Sequence, residues 1–169
     1  SLGGSAGAAA LRAPSLVLNG WLLGAIGLAA RVLHLGPPLK AWRVFLGLRR
    51  SWLSREIVVL GAWFIWATVC AESAVFPAQL PFAALAPWRM LALLSLGGAG
   101  VFCSAMVYAD TRRRFWRLPV VAGKFFGSTA LFGLAVAWVM RPASVPLAVA
   151  LAAVSAVKLA FEARTFRCL

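Results

Sequence analysis

The apolar positions of this chain fall in long, nearly unbroken runs separated by short polar or basic segments. They show neither the alternation of a strand nor the single stripe of a soluble helix. A helix needs roughly 20 apolar residues to cross a bilayer, and five stretches qualify: 14–35, 56–76, 88–108, 119–140 and 144–161. Prolines mark their limits. Pro14, Pro37, Pro38, Pro77, Pro81, Pro87, Pro119 and Pro142 lie at or outside the ends, where a missing N–H costs least. Pro146 falls in the first turn of the last stretch, which tolerates it. Open strands cannot cross lipid, and without alternation a barrel is disfavoured. The pattern predicts an all-α fold, a polytopic transmembrane helix bundle of about five spans, forming one membrane domain over residues 1–169.

The first polar connection carries a pattern of its own. Between Pro38 and Arg50, the residues Leu39, Trp42, Phe45 and Leu46 recur at helical spacing, with Lys40, Arg43 and Arg50 mostly on the other side. This predicts a short amphipathic helix lying in the interface. Ser54 and Glu56 read as a polar start to the second span, with the acid in its first turn. Trp42, Trp52, Trp88 and Trp116 fall at the expected interfaces, as an aromatic belt would. The opening stretch, Ser1 to Ala13, is too polar for a full span and lacks the basic start and apolar core of a signal peptide.

Composition sharpens this picture. With 63% hydrophobic and 12% charged residues in 169, a soluble domain could not hide its apolar surface. The net charge of +13 would suggest nucleic acid in a soluble protein, but here the basic residues sit in tracts between apolar spans, so no nucleic-acid partner is expected. Arg31, Lys40, Arg43, Arg49, Arg50, Arg55, Arg112, Arg113, Arg114, Arg117, Lys124, Lys158, Arg164 and Arg167 fall on one side, and only Arg12, Arg89 and Arg141 on the other. By the positive-inside rule the N-terminus is expected outside and the C-terminus in the cytoplasm.

Several chemistries are excluded by residue counts. His34 is the only histidine, so a haem held by two histidines is impossible. Cys70, Cys103 and Cys168 are too far apart for a metal or iron–sulfur set, and read as small buried hydrophobes. No nucleotide loop appears: Gly97-Gly98-Ala99-Gly100 lies mid-span and predicts close helix packing. No catalytic residue is assigned. His34, ahead of Leu35-Gly36-Pro37-Pro38, is either a proton-exchanging group near the membrane or a cap on its own helix, and on residues alone both readings stand. Glu72 is expected at the headgroups, and Lys158 and Glu162, four apart, are placed to pair. Tyr108, Asp110 and the Arg112–Arg114 run mark the cytoplasmic end of the third span.

The stretch Leu33-His34-Leu35-Gly36-Pro37-Pro38-Leu39-Lys40-Ala41, followed by Ser51-Trp52-Leu53-Ser54-Arg55-Glu56-Ile57, resembles the anchor subunit of dimethyl sulfoxide reductase-type molybdoenzymes. The later Tyr108-Ala109-Asp110-Thr111-Arg112-Arg113 and Lys124-Phe125-Phe126-Gly127-Ser128-Thr129-Ala130 look like the same family, and the likeness covers about half of the chain. The resemblance implies an anchor in a bacterial inner membrane that holds an iron–sulfur electron-transfer subunit and a molybdopterin catalytic subunit. It implies electron exchange with a quinone, menaquinone or ubiquinone, without haem or an iron–sulfur cluster in this chain. It makes His34 the candidate quinone contact. Around it, Gly36 would let backbone approach the ring, and Arg43, Tyr108 and Arg113 would complete the quinone-binding set. Lys40, Arg49, Arg50, Arg112 and Arg114 are expected to dock the partner. The family's members have more helices than the five visible here, so the chain is expected to be an incomplete copy or a shortened branch. A transporter is disfavoured by mid-span residues that are almost all apolar. A purely structural anchor, with His34 as a cap, remains the other reading.

Overall fold

The computed structural model describes residues 18–30, 43–75, 86–113, 116–141 and 143–167, and within these the side chains of 43, 44, 73–75, 86 and 87 are not described. The described residues form α1 (Leu18–Ala30), α2 (Arg43–Leu46), α3 (Trp52–Val75), α4 (Ala86–Ala109), α5 (Leu118–Met140) and α6 (Val145–Arg167), with no strand among them. Trp52–Glu72, Trp88–Ala109, Leu118–Met140 and Val145–Arg167 are long and apolar enough to cross a membrane. At about 1.5 Å of rise per residue each is longer than a hydrocarbon core of roughly 30 Å. Of the first expected span, the described part is the shorter apolar α1, and its ends lie outside the described residues.

Three boundaries differ from the sequence expectation. The second span begins at Trp52, not Glu56. Ser51 is its cap: the Oγ accepts from the Ser54 N–H at 3.4 Å, and the carbonyl accepts from the Arg55 N–H at 3.3 Å. Glu56 is thereby moved out of the first turn and into the helix. Among the described residues of the connection ahead of it, the helix α2 stops at Leu46 and does not run to Arg50, because the chain folds over at Gly47, whose carbonyl accepts from the Arg50 and Ser51 N–H groups at 3.0 and 2.8 Å. Leu39, Lys40 and Trp42 of that expected helix lie outside the described residues. The last helix continues past Phe161 to Arg167, with Arg164 and Arg167 in the turn where the helix dipole favours cations.

The chain divides into two compact units, Ser1–Gly100 and Val101–Leu169. In the first, Trp21 of α1 stacks on Phe64 of α3 with ring centres 5.5 Å apart, and its Nε1 donates to Thr68 Oγ1 at 2.8 Å. Trp66 Nε1 donates to the Arg89 carbonyl at 3.3 Å. The glycine run of α4 meets α3 as its small residues lead one to expect. A Cβ on Gly97 would lie 3.1 Å from the Trp63 indole nitrogen, and one on Gly100 would collide with Leu60.

In the second unit α5 and α6 form an antiparallel hairpin. Arg141 closes α5, its N–H bonding the Ala137 and Trp138 carbonyls, and the Ser144 N–H bonds back to the Arg141 carbonyl at 2.9 Å. The helices touch where glycine removes a side chain: Gly123 faces the Phe161 ring and Gly127 the stem of Lys158. Val121 is the buried residue of α5, and α6 has none. The remaining apolar surface suits lipid, where an exposed leucine or valine costs nothing.

Candidate functional site

The α4–α5 junction gathers the best-defined group of candidate side chains. α4 ends at Ala109, and the Thr111 hydroxyl closes it by donating to the Tyr108 carbonyl at 2.6 Å. The Arg112 N–H bonds the Ala109 carbonyl, and Arg112 adopts φ 53, a left-handed backbone that reverses the chain at the helix end. Trp116 N–H bonds the Arg113 carbonyl at 2.9 Å, and Arg117 in extended conformation starts α5 with Pro119 in its first turn. This path brings three rings together. Tyr108 meets Trp116 edge-on at 5.1 Å and Phe125 at 5.5 Å, and the Arg113 guanidinium lies 5.2 Å from the Trp116 ring centre. Tyr108 remains 38% exposed, so its phenol edge is open to a ligand.

The start of α3 holds a second group. Arg55 folds back over the preceding turn, donating from Nε to the Leu48 carbonyl at 2.9 Å and from Nη2 to the Arg49 carbonyl at 3.1 Å, with its guanidinium 4.3 Å from the Trp52 ring centre. It stabilises a turn that leaves Arg49 and Arg50 exposed. One turn further in, Ser54 is buried and Glu56 is fully buried.

On α6, Lys158 pairs with Glu162 as their spacing suggests, and the Lys124 ammonium of α5 lies 5.3 Å from the Phe166 ring centre. Among the described residues no group of three or more His, Cys, Asp or Glu is arranged to hold a metal ion. Cys103 is buried and Cys70 half-buried, as expected of small hydrophobes, and Cys168 lies outside the described residues.

A family model for the DMSO reductase anchor subunit (DmsC) matches residues 11–162. The chain belongs to the DMSO reductase anchor subunit family. It is a multi-pass membrane protein of that family, and is 32% identical over 134 residues to a sulfite dehydrogenase subunit from Allochromatium vinosum, covering 66% of this chain and 38% of that relative. The chain thus spans well under half the length of the relative it matches. No solved structure matches it.

Of the candidate quinone-binding set in this anchor-family chain, Tyr108 and Arg113 meet the same Trp116 ring. His34 and Gly36 lie outside the described residues, and Arg43 is described only as the first residue of α2. Of the docking set, Arg49 and Arg50 share one exposed turn and Arg112 is exposed beside Arg113, while Lys40 and Arg114 lie outside the described residues. Trp116 and Phe125 were legible as a belt residue and part of a motif, but not as partners of Tyr108. Glu56 was missed as a buried acid. Its signal was Ser51, which, taken as the cap, places Glu56 a full turn into the span.

Proposed function

We propose that this chain is the membrane anchor of a molybdenum-containing oxidoreductase of three subunits, and that it exchanges electrons between a quinone pool and an iron–sulfur partner subunit. Family membership over residues 11–162 is the observation that carries the anchor reading. Two larger soluble subunits, one with iron–sulfur clusters and one with a molybdopterin, are its partners in this reading. The bacterial inner membrane is its location, with the basic connections on the cytoplasmic side.

The quinone part of the proposal comes from the resemblance, and the chemistry of the α4–α5 junction supports it. Quinol oxidation releases electrons and protons, so a chain serving it must hold a flat ring and offer donors and proton acceptors near an interface. The Tyr108–Trp116–Phe125 rings supply flat apolar contact, and the Tyr108 hydroxyl and Arg113 guanidinium supply donors at the end of a span. That donor set fits a quinone headgroup. His34 takes or gives a proton at a ring oxygen, as the resemblance implies, and Gly36 admits backbone close to the ring.

The same ring contacts favour one other reading, a purely structural anchor. Tyr108 and Arg113 are already engaged by Trp116, which suits an interfacial belt without a ligand. One preparation separates the two. The chain is purified from its native membranes in mild detergent, and its companions and quinol-linked turnover are measured. Two larger subunits with iron and molybdenum support the anchor reading, and a chain that leaves the membrane alone and metal-free removes it. In the assembled complex, His34→Gln is expected to lower quinol-linked turnover by about a hundredfold, the smaller end of what proton-transfer groups contribute. Unchanged turnover with assembly intact leaves the structural anchor.

A further inference from the structure

We infer that the basic end of the α5–α6 hairpin, built on Arg117 and Lys124, is a binding site for the phosphate of an anionic phospholipid. Arg117 and Lys124 are seven residues apart, two helical turns, and so lie on one face of α5 and its cap. Helical side chains lean toward the N-terminus, which directs Lys124 back toward Arg117. Gly123 opposite Phe161 and Gly127 opposite Lys158 place Phe166 level with the first turn of α5. The Lys124 ammonium sits 5.3 Å from that ring, on the seam between the start of α5 and the end of α6. The same register places Arg167 at this level on the neighbouring helix.

The result is a concentration of positive charge at one depth. Arg117 and Arg167 are exposed, and Lys124 is half-buried. The acid on this seam, Glu162, is held by Lys158. Beside the charges stands Phe166, an exposed ring at 67%, and Trp116 lies immediately before Arg117. Cations gathered at one end of the hairpin beside exposed aromatic and aliphatic surface match a lipid with an anionic phosphate and an attached acyl chain. A free phosphate would use the cations and gain nothing from Phe166. Basic pockets between helices at the cytoplasmic side are suited to such headgroups. Arg141, alone at the other end of the hairpin, provides the contrast within one structure.

The test uses the full chain, with whatever subunits accompany it, in nanodiscs of phosphatidylcholine containing a minor fraction of phosphatidylglycerol. After lipid exchange, the phosphatidylglycerol retained per protein is counted by mass spectrometry. The wild type is expected to enrich phosphatidylglycerol over its bulk fraction. Arg117→Gln/Lys124→Gln is expected to weaken that retention by on the order of tenfold or more at low salt, from two lost cations near the surface. Arg117→Lys/Lys124→Arg is expected to keep it, and Arg141→Gln to leave it unchanged. No enrichment by the wild type overturns the inference, and this holds even if the double variant fails to accumulate. So does equal loss in Arg141→Gln, which would mean general charge attraction. Retained lipid with lost companion subunits in the double glutamine variant also overturns it, in favour of an acidic protein partner.

Discussion

In the unit that ends at Gly100, helices are joined by indoles that hydrogen-bond across the contact. Trp21 reaches Thr68, and Trp66 reaches the Arg89 carbonyl. In the unit that follows, α5 and α6 meet where glycine lets an aromatic ring or a lysine stem lie against bare backbone, at Gly123 and Gly127. Lipid tails are as apolar as leucine, so neither contact is driven by leaving water. The first type gains from polar groups that have no other partner in hydrocarbon, and the second from close van der Waals approach. The difference matters for repair after mutation. A lost hydrogen bond is partly replaced by water or backbone, whereas a side chain forced into a closed seam has nowhere to go.

The largest expected effect therefore lies in the hairpin. A Cβ on Gly123 would sit 2.6 Å from Phe161 Cζ, and the rigid ring cannot bend aside as a leucine tip can. Gly123→Ala is expected to destabilise the chain by about 1–3 kcal/mol, read by denaturant titration in mixed micelles with circular dichroism. Gly133→Ala, where nothing lies within 4 Å, is the control and is expected to be neutral or stabilising. Equal stability of the two variants would break the contrast. Next comes the Trp21–Thr68 contact: a double-mutant cycle with Trp21→Phe and Thr68→Val is expected to give a coupling of about 0.6 kcal/mol, typical of hydrogen bonds between membrane helices. A coupling as large as the Gly123 effect would mean that a polar contact holds the first unit as strongly as close approach holds the second. The smallest shift is expected from Glu162→Gln, which removes a partly exposed pair with Lys158. A loss exceeding the Trp21–Thr68 coupling would show that this pair along α6 stabilises the chain more than a partly exposed i,i+4 pair should.

The four long spans were legible because each property that defines them is local: an apolar run, a proline at the edge, a basic connection. Gly97 and Gly100 announced close packing for the same reason, since a missing side chain is visible in the sequence. The start of α3 was read too late because Ser54 and Glu56 look like a polar boundary. The choice between Ser51 and Ser54 as cap depends on where the Gly47 turn releases the chain. The Tyr108 cluster was only half legible. Tyr108 and Arg113 were candidates by motif, but their meeting at Trp116 depends on the left-handed turn at Arg112, at a residue type that gives no sign of it.

The short link between α5 and α6 has a bearing on how the chain enters its membrane. Met140 and Val145 are separated by Arg141–Ser144, too few residues to let one span wait in water while the other is placed. The two spans are therefore delivered together, as one helical hairpin, and one of its ends must cross the hydrocarbon. With the link leading, the cation at that end is Arg141; with the open end leading, Arg117, Lys124, Arg164 and Arg167 would all have to be dragged through. A charge at mid-bilayer costs about 2.5–3.5 kcal/mol even in a translocating helix, so the unequal loading of the two ends makes the link the less costly one to send across.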